Sequence, residues 1–427
     1  MTDSICLTSM ACESGQPTSG VARDRGRFVL GRRASFWVSA GVVAHTLWTS
    51  AAPAMVYRIY AEEWHLALTT TTAIFAIYPI VVVLTLLGFG DLSDHIGHRA
   101  TMLIGLAMSL AGVFAFAVAP DVAWLFAGRA LMGIGVGLTA SPSTAAMVEF
   151  AAEGQSQRAA SVAAAAQAVG FAAALLLGGA LIEYAPHPTR LPFWFLFAIL
   201  AMLFVASWGL PRQGGASADR WRIRTPSVPP NLRGVFALAS LAVLTAYTHG
   251  VLILSLGGQV AHDLVGSSNA FVNGAILSLF AIVSGIVGVA ARRLDPRMAM
   301  ASGAFASAAG VGLLALASAC HALPIFLVAT ATAGTGYSLL FFAGLALINR
   351  AATPEHRGGI FAALYLVAYL SMGTVALVLG VLARSEGLGL AIDVGAGVIA
   401  LLSLAAFGYS LMSPKFQSDA ETGACGP

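Results

Sequence analysis

Twelve long apolar segments constrain the fold of this chain more than any other feature of its sequence. A helix needs roughly 20 apolar residues to cross the hydrocarbon layer of a membrane. The twelve segments predict an all-α membrane protein with twelve transmembrane helices. Their ranges are about 35–57, 68–90, 100–118, 122–147, 160–184, 191–210, 234–256, 270–291, 298–319, 323–348, 358–382 and 389–412.

The composition excludes a water-soluble protein of this size. Apolar residues make up 58% of the 427 residues and charged residues only 10%, against about 25% charged residues in ordinary soluble domains. The polar side chains are too few to cover a body this large, so most of the surface must face lipid.

The basic residues predict how the chain crosses the membrane. With the N-terminus inside, 18 Lys and Arg residues fall in cytoplasmic segments and three, Arg58, Arg190 and Arg384, fall in exterior loops. Cytoplasmic loops carry the excess of Lys and Arg, so both termini are expected to be cytoplasmic. Arginine is used almost to the exclusion of lysine, a bias that hints at a GC-rich bacterial genome and hence at the bacterial inner membrane.

Two sets of six spans repeat one another at a nearly constant interval. Arg99 and Arg297 each close a loop after the second span of a set, 198 positions apart, and Arg158 and Arg357 are 199 positions apart. Such an offset indicates an internal duplication, and paired six-helix halves are a transporter architecture. The predicted organisation is a tail (1–34), a six-helix bundle (35–210), a linker (211–233), a second bundle (234–412) and a tail (413–427).

The sequence carries no motif for hydrolytic, redox or ATP-driven chemistry. Its one lysine, Lys415, follows a proline, so the phosphate-binding loop G-x-x-x-x-G-K-[ST] is absent, and so are H-E-x-x-H and G-x-S-x-G. The four cysteines form no C-x-x-C pair, and the arginines are scattered between spans instead of forming a nucleic-acid footprint. We therefore expect neither an enzyme nor a cofactor, and no nucleic-acid partner.

The loop after the second span resembles a signature of the major facilitator superfamily. It contains Gly90, Asp94, Gly97 and Arg99 at the spacing G-x-L-a-D-r-x-G-r-r. The resemblance implies twelve helices in two pseudo-symmetric six-helix bundles, and it implies that these four residues form a conformational latch on the cytoplasmic side.

This loop departs from the family pattern at two positions, where histidine stands in place of a basic residue. The motif also accounts for the spacing of four residues of metal-binding type, so no metal site is expected. They are Asp91, Asp94, His95 and His98.

Two further segments are similar to family motifs. Arg129 and Gly133 in the fourth span resemble R-x-x-q-G, which implies a role in coupling or in holding substrate charge. A buried charge in a span is functional by default, and the alternative is a structural arginine bound to backbone carbonyls. In the fifth span Gly170, Gly178 and Gly179 resemble a helix-packing element of the family's exporters, but its central Gly-Pro is replaced here.

The resemblance also implies that spans one, four, seven and ten line a central cavity. Polar and aromatic residues of these spans are candidates to face it, with histidine a candidate for carrying protons. The alternative is that they form packing contacts between helices. The candidates are His45, Trp48, Thr49, Thr248, His249 and Tyr337.

These features predict a secondary transporter that moves a small solute by alternating access. None of the 19 Asp and Glu residues lies in the middle of a span, which favours a neutral or anionic solute over a cation. Proton-coupled efflux of a drug or metabolite is the expected function, and the alternative is uptake of a small organic acid or sugar. The expected partners are the solute, the lipid bilayer and protons, with the chain acting as a monomer.

The predicted orientation is testable with fusion reporters. Green fluorescent protein fused after Pro427 should fluoresce, because that end is expected in the cytoplasm. Alkaline phosphatase fused after Arg190 should be active, because it folds only outside. Phosphatase fused after Arg158, an expected cytoplasmic position, is the matched control and should be inactive. Active phosphatase there would reverse the topology.

Overall fold

A computed structural model describes residues 29–90, 92–152, 155–212, 228–265, 269–352 and 354–412. Twelve long helices occupy this part of the chain. They are α1 (Arg32–Ala51), α2 (Leu68–Phe89), α3 (His98–Ala117), α4 (Val122–Phe150), α5 (Ser156–Tyr184), α6 (Leu191–Trp208), α7 (Arg233–Val265), α8 (Ala270–Ala290), α9 (Pro296–Cys320), α10 (Leu323–Ala351), α11 (Pro354–Ser385) and α12 (Leu388–Met412).

Each predicted span overlaps one of these helices, with two notable differences in the boundaries. The first span was expected to run to residue 57, but α1 ends at Ala51 and continues as a 3-10 turn, Ala52–Met55, and a short helix, Tyr57–Glu63. Pro53 explains the change, because it has no N–H to continue the α-helical hydrogen bonds. The other difference is α7, which runs about two turns further than expected. The tails, apart from a few residues, and most of the linker lie outside the described residues.

Eleven helices of the described chain are long and apolar enough to cross a membrane. The remaining long helix, α1, is long enough but less apolar than the others. It is 20 residues long, yet it buries serine and threonine hydroxyls and a histidine along its length. It packs against α4, α5 and α6, so protein surrounds much of it. Its low hydropathy reflects contact with protein instead of lipid.

The helices form two pseudo-symmetric six-helix bundles with the same packing. In the first bundle α1 packs on α4 and α5, α2 on α4, and α3 on α4 and α6. In the second bundle α7 packs on α10 and α11, α8 on α10, and α9 on α10 and α12. The bundles meet through two helix pairs, α5 with α8 and α2 with α11.

Glycines at matching positions bring the helices together in both bundles. A Cβ on Gly105 of α3 would lie 2.8 Å from the Gly135 carbonyl oxygen of α4, and a Cβ on Gly303 of α9 would lie 3.0 Å from the Leu340 nitrogen of α10. Gly105 and Gly303 are 198 positions apart, the interval of the duplication. Small residues let helix backbones approach closely, which drives helix association in a membrane.

The glycines of α5 make different contacts. A Cβ on Gly170 would overlap the Ala44 carbonyl of α1, and a Cβ on Gly179 would lie 2.6 Å from the Ala270 carbonyl oxygen of α8. For Gly178 the nearest atom is a methionine side-chain carbon at 3.8 Å, which is an ordinary contact. Gly170 therefore fixes the approach of α1, and Gly179 fixes the approach of the second bundle.

Gly170→Ala should lower the free energy of unfolding by about 1–3 kcal/mol, because the new methyl group forces two backbones apart. The measurement is the thermal unfolding midpoint of the purified protein in detergent. Gly178→Ala is the matched control on the same helix, and it should leave the midpoint close to that of the wild type. Equal midpoints for all three proteins would contradict the packing argument.

Candidate solute cavity

A cavity of about 410 Å3 lies between the two bundles. Helices α1, α2, α4 and α5 of the first bundle line it together with α7, α8, α10 and α11 of the second. Its volume is within the range of about 300–1,000 Å3 for small-molecule sites. It extends from Ser50 and Tyr78 toward Ala160 and Arg292.

Aromatic rings form most of one wall. Tyr337 has its ring centroid 5.4 Å from that of Phe280 and 6.1 Å from that of Phe341. Tyr247 continues the wall, with ring centroids 6.0 Å from Phe341 and 5.4 Å from Tyr369. Five of the nine tyrosines line the cavity, and all five lie within helices that are long and apolar enough to cross a membrane, although tyrosine is usual at membrane interfaces.

The first bundle presents a flatter surface to this cavity. Ala160, Ala164 and Ala168 lie four residues apart on α5 and share one helical face, which also carries Gln167 and Phe171. Because alanine extends only one carbon, this face leaves the cavity open along most of its length, whereas Phe171 reaches the aromatic wall.

The polar groups of the cavity are mostly neutral. They include the hydroxyls of Ser50, Thr144 and Ser284 and the amide of Gln167, and Arg292 adds a positive charge at one end. No Asp or Glu occurs among the described residues that line the cavity. The arrangement suits a largely apolar solute that makes a few hydrogen bonds.

Arg129 lies beside the cavity, fully buried behind its wall. Its Nη1 donates to the Ser50 carbonyl oxygen of α1 at 3.1 Å, and its Nη2 donates to the Phe75 carbonyl oxygen of α2 at 3.5 Å. Its guanidinium carbon is 4.4 Å from the centroid of the Tyr78 ring. The C-terminal end of a helix carries partial negative charge, so the end of α1 stabilises this cation.

Gly133 follows one turn after Arg129 and allows that arrangement. A Cβ at Gly133 would lie 2.9 Å from the Tyr78 carbonyl oxygen. Without a side chain at this position, α4 approaches α2 closely enough for the Tyr78 ring to cover the guanidinium. Gly133 therefore has a packing role, and it positions both residues.

The two histidines lie away from the cavity. His45 Nδ1 is 2.5 Å from the Val42 carbonyl oxygen, and its Nε2 is 3.4 Å from Ser109 Oγ of α3. His249 Nδ1 is 3.0 Å from Ser307 Oγ of α9. Each histidine therefore joins the first helix of its bundle to the third, the packing alternative that the sequence left open.

Of the other cavity candidates, Tyr337 lies in the lining and three do not. Thr49 and Thr248 are buried, and their hydroxyls have no hydrogen-bond partner in the described part of the chain. Trp48 packs toward α6, with its ring centroid 6.3 Å from that of Phe195. The polar faces of α1 and α7 are thus turned into the bundles.

The loop that resembles the family signature forms a tight connection between α2 and α3. Gly97 has a φ of +86°, a left-handed conformation that favours glycine, and Gly90 follows α2 directly. The Arg99 Nη2 donates to the Trp208 carbonyl at the end of α6, so it secures the loop within the first bundle. The side chain of Asp94 lies outside the described part of the structure.

The bundles contact each other at both ends of α5. At one end the Glu183 carboxylate accepts a hydrogen bond from the Ala270 backbone N–H at 2.8 Å. At the opposite end the Arg292 Nη2 donates to the Ala160 carbonyl. Arg384 adds a contact between α11 and α2, 3.3 Å from Thr69 Oγ1, near the same end as Glu183.

Sequence reasoning missed most of the residues that line the cavity. Tyr247, Tyr365 and Tyr369 carry the aromatic wall, and Leu47 and Gly250 take positions next to the predicted polar faces. The available signal was tyrosine in the middle of apolar spans, since the ring hydroxyl makes that residue unusual there.

Comparisons with known proteins agree with the architecture. Residues 37–376 match the family model of the Major Facilitator Superfamily. The structure is similar to the nucleoside transporter NupG, with a TM-score of 0.70 and 12% identity, covering 89% of this chain and 100% of that one.

Two curated relatives share local sequence similarity. The multidrug efflux pump LfrA of Mycolicibacterium smegmatis is 33% identical over 134 residues, which is 31% of this chain and 26% of that protein. The vesicular acetylcholine transporter of Rattus norvegicus is 37% identical over 112 residues, 26% of this chain and 21% of that one. The matched segments thus span about a quarter of each relative.

Arg129→Lys should lower the free energy of unfolding by roughly 1–3 kcal/mol, because an ammonium group cannot replace the planar guanidinium at both carbonyls and against the Tyr78 ring. The measurement is thermal unfolding in detergent. Arg158→Lys is the control, since Arg158 is exposed, and it should behave as the wild type. Wild-type stability of Arg129→Lys would show that the planar guanidinium is not needed at this position.

Proposed function

Because this chain belongs to the major facilitator superfamily, and is therefore a membrane transporter and not an enzyme, we propose that it exports a small, largely apolar solute by alternating access. The observation that carries the proposal is the cavity between the bundles, with its aromatic wall and neutral polar groups. A solute that fits such a wall also dissolves in lipid and enters a cell unaided. A transporter for such a solute is useful in the outward direction.

The local similarity to a multidrug efflux pump supports the same direction. Uptake of a sugar or small organic acid is the alternative. A sugar would call for a site dominated by hydrogen-bonding side chains and an acid for one rich in positive charge. The described lining is mainly apolar, with scattered hydroxyls, one amide and Arg292 as its charged group. The aromatic wall therefore favours export.

The cavity is proposed to face the cytoplasm in this conformation. It extends toward Arg292, which belongs to a segment that the distribution of arginines places inside the cell. The contacts of Glu183 and Arg384 then lie on the outer side, where they hold the bundles together, and the contact of Arg292 with the Ala160 carbonyl lies on the inner side. A solute would enter from the cytoplasm of a bacterial cell and leave after these outer contacts open.

Arg129 is proposed as the residue that couples the solute site to a proton gradient. One face of the Tyr78 ring covers its guanidinium, and Tyr78 also belongs to the cavity wall. A solute that displaces this ring changes the environment of the buried charge. The charge in turn holds the end of α1 through Ser50, so the change reaches a second helix of the first bundle that lines the cavity.

The loop of Gly90, Asp94, Gly97 and Arg99 is proposed as the conformational latch. Its Arg99 holds the end of α6 in the conformation described. Both residues of this contact belong to the first bundle, so it fixes the loop against α6, and the latch would act through the position in which the loop is held at the cytoplasmic ends of α2 and α3 in the proposed orientation. The two bundles and their linker are proposed to move as two bodies around the cavity.

Cellular accumulation tests the proposal. The compounds are a panel of dyes, antibiotics, sugars and organic acids. Cells that overproduce the wild type should retain less of an exported compound than cells that carry the empty vector. Arg129→Ala at matched membrane levels should restore accumulation, and loss of export on collapsing the proton gradient would support proton coupling. Higher accumulation with the wild type would indicate uptake and overturn the export proposal.

A further inference from the structure

The lining of the cavity specifies a shape of solute as well as a polarity. We infer that it binds a flat, fused-ring aromatic compound that is neutral or anionic, held between the aromatic wall of the second bundle and the alanine face of α5. The inference rests on the proposed assignment of this cavity as the solute site. Two independent features support it: the aromatic wall supports the flat shape, and the charges around the cavity support the preference for a neutral or anionic compound.

The wall acts as one continuous surface. The rings of Tyr337 and Phe341 are nearly parallel, with an interplanar angle of 13° and centroids 6.1 Å apart. This spacing is too small for a third ring to insert between them, because each aromatic contact needs about 3.5 Å. A solute must therefore lie against the rings, in the open part of the cavity.

The opposite face favours a flat molecule. Ala164 presents a single methyl group to the cavity, with Gln167 and Phe171 beside it on the same helix, and the Ala168 methyl group packs against Gly285 of α8. Methyl groups form a shallow surface that does not enclose a branched or twisted substituent. A flat ring system contacts it over its whole area while its other face meets the aromatic wall, where stacking adds about 0.5–1.5 kcal/mol for each aromatic pair.

The charges around the cavity disfavour a cation. Arg292 belongs to the lining, and Arg129 lies behind Tyr78 with its guanidinium carbon 4.4 Å from that ring. Aromatic faces attract cations, but the ring of Tyr78 already has a protein cation on one side. The described lining includes no carboxylate, so the two guanidinium charges make the cavity less favourable for a cation than for an anion of the same shape.

Competition binding tests the shape directly. The probe is resorufin, a flat three-ring anion, whose fluorescence anisotropy rises on binding to the purified full-length protein in lipid nanodiscs. The competitors are dibenzofuran-4-carboxylate, which is flat, and 2-phenoxybenzoate, which lacks the ring-closing bond and is twisted. They match in size and charge. The flat acid should displace resorufin at a concentration about tenfold lower, and equal potency would overturn the inference.

Two variants locate the binding site. Tyr337→Leu removes a ring from the wall, and Ala164→Leu fills the space on the facing side. Each should weaken resorufin binding by about fivefold to tenfold, in line with the loss of an aromatic contact. Phe305→Leu is the control, because the Phe305 side chain is 72% exposed on the outer surface of α9. Unchanged affinity in both cavity variants would place the binding elsewhere and overturn the inference.

Charge is tested with thionine, a flat three-ring cation, which should bind the same protein at least about tenfold more weakly than resorufin. Equal or tighter binding of thionine would overturn the charge preference.

Failure of export is a separate outcome. If flat probes bind as expected but no compound accumulates less in cells, the export proposal fails and the inference stands. If export occurs while flat and twisted acids compete equally, the inference alone fails.

Discussion

A polar group buried in a membrane protein has no water to bond with, and this constraint decides which face of each central helix meets the cavity. In α1 and α7 the histidines bond to serines of α3 and α9, which turns the polar faces into the bundles. The space between the bundles is lined mainly by rings and small residues, together with a few neutral polar groups and one arginine. Arg129 obeys the same rule through the carbonyls of Ser50 and Phe75. These contacts keep the two histidines and the guanidinium inside the bundles and out of the cavity lining.

The sequence predicted the helices and their duplication well, because hydropathy and arginine spacing are properties of each segment alone. It did not predict which residues line the cavity. The partner of His45 is 64 residues away in the chain and that of His249 is 58 residues away, so the direction of either side chain depends on a neighbouring helix. Tyr337 was found from its span, whereas Tyr247 and Tyr369 required the packing of α7 against α11.

The duplicated halves share the same helix packing but differ in the side chains that they place at and near the cavity. Gly133 and Gly135 of α4 have counterparts in Gly334 and Gly336 of α10, 201 positions later, and each pair makes close contacts to the neighbouring helices. At the same interval Arg129 corresponds to a threonine. The buried charge therefore belongs to the first bundle, and most of the aromatic wall belongs to the second. A solute between them contacts two chemically different surfaces.

The contact between α5 and α8 has a mechanical consequence. Near the end that carries Glu183, Gly179 faces the backbone of Ala270 and Gly274 faces the backbone of Leu175, and further along Gly285 faces Ala168. The same contact also packs rings of α5 against rings of α8. Because the two backbones approach so closely here, the contact leaves little room for the helices to separate, and it is the natural pivot for a rotation of one bundle against the other.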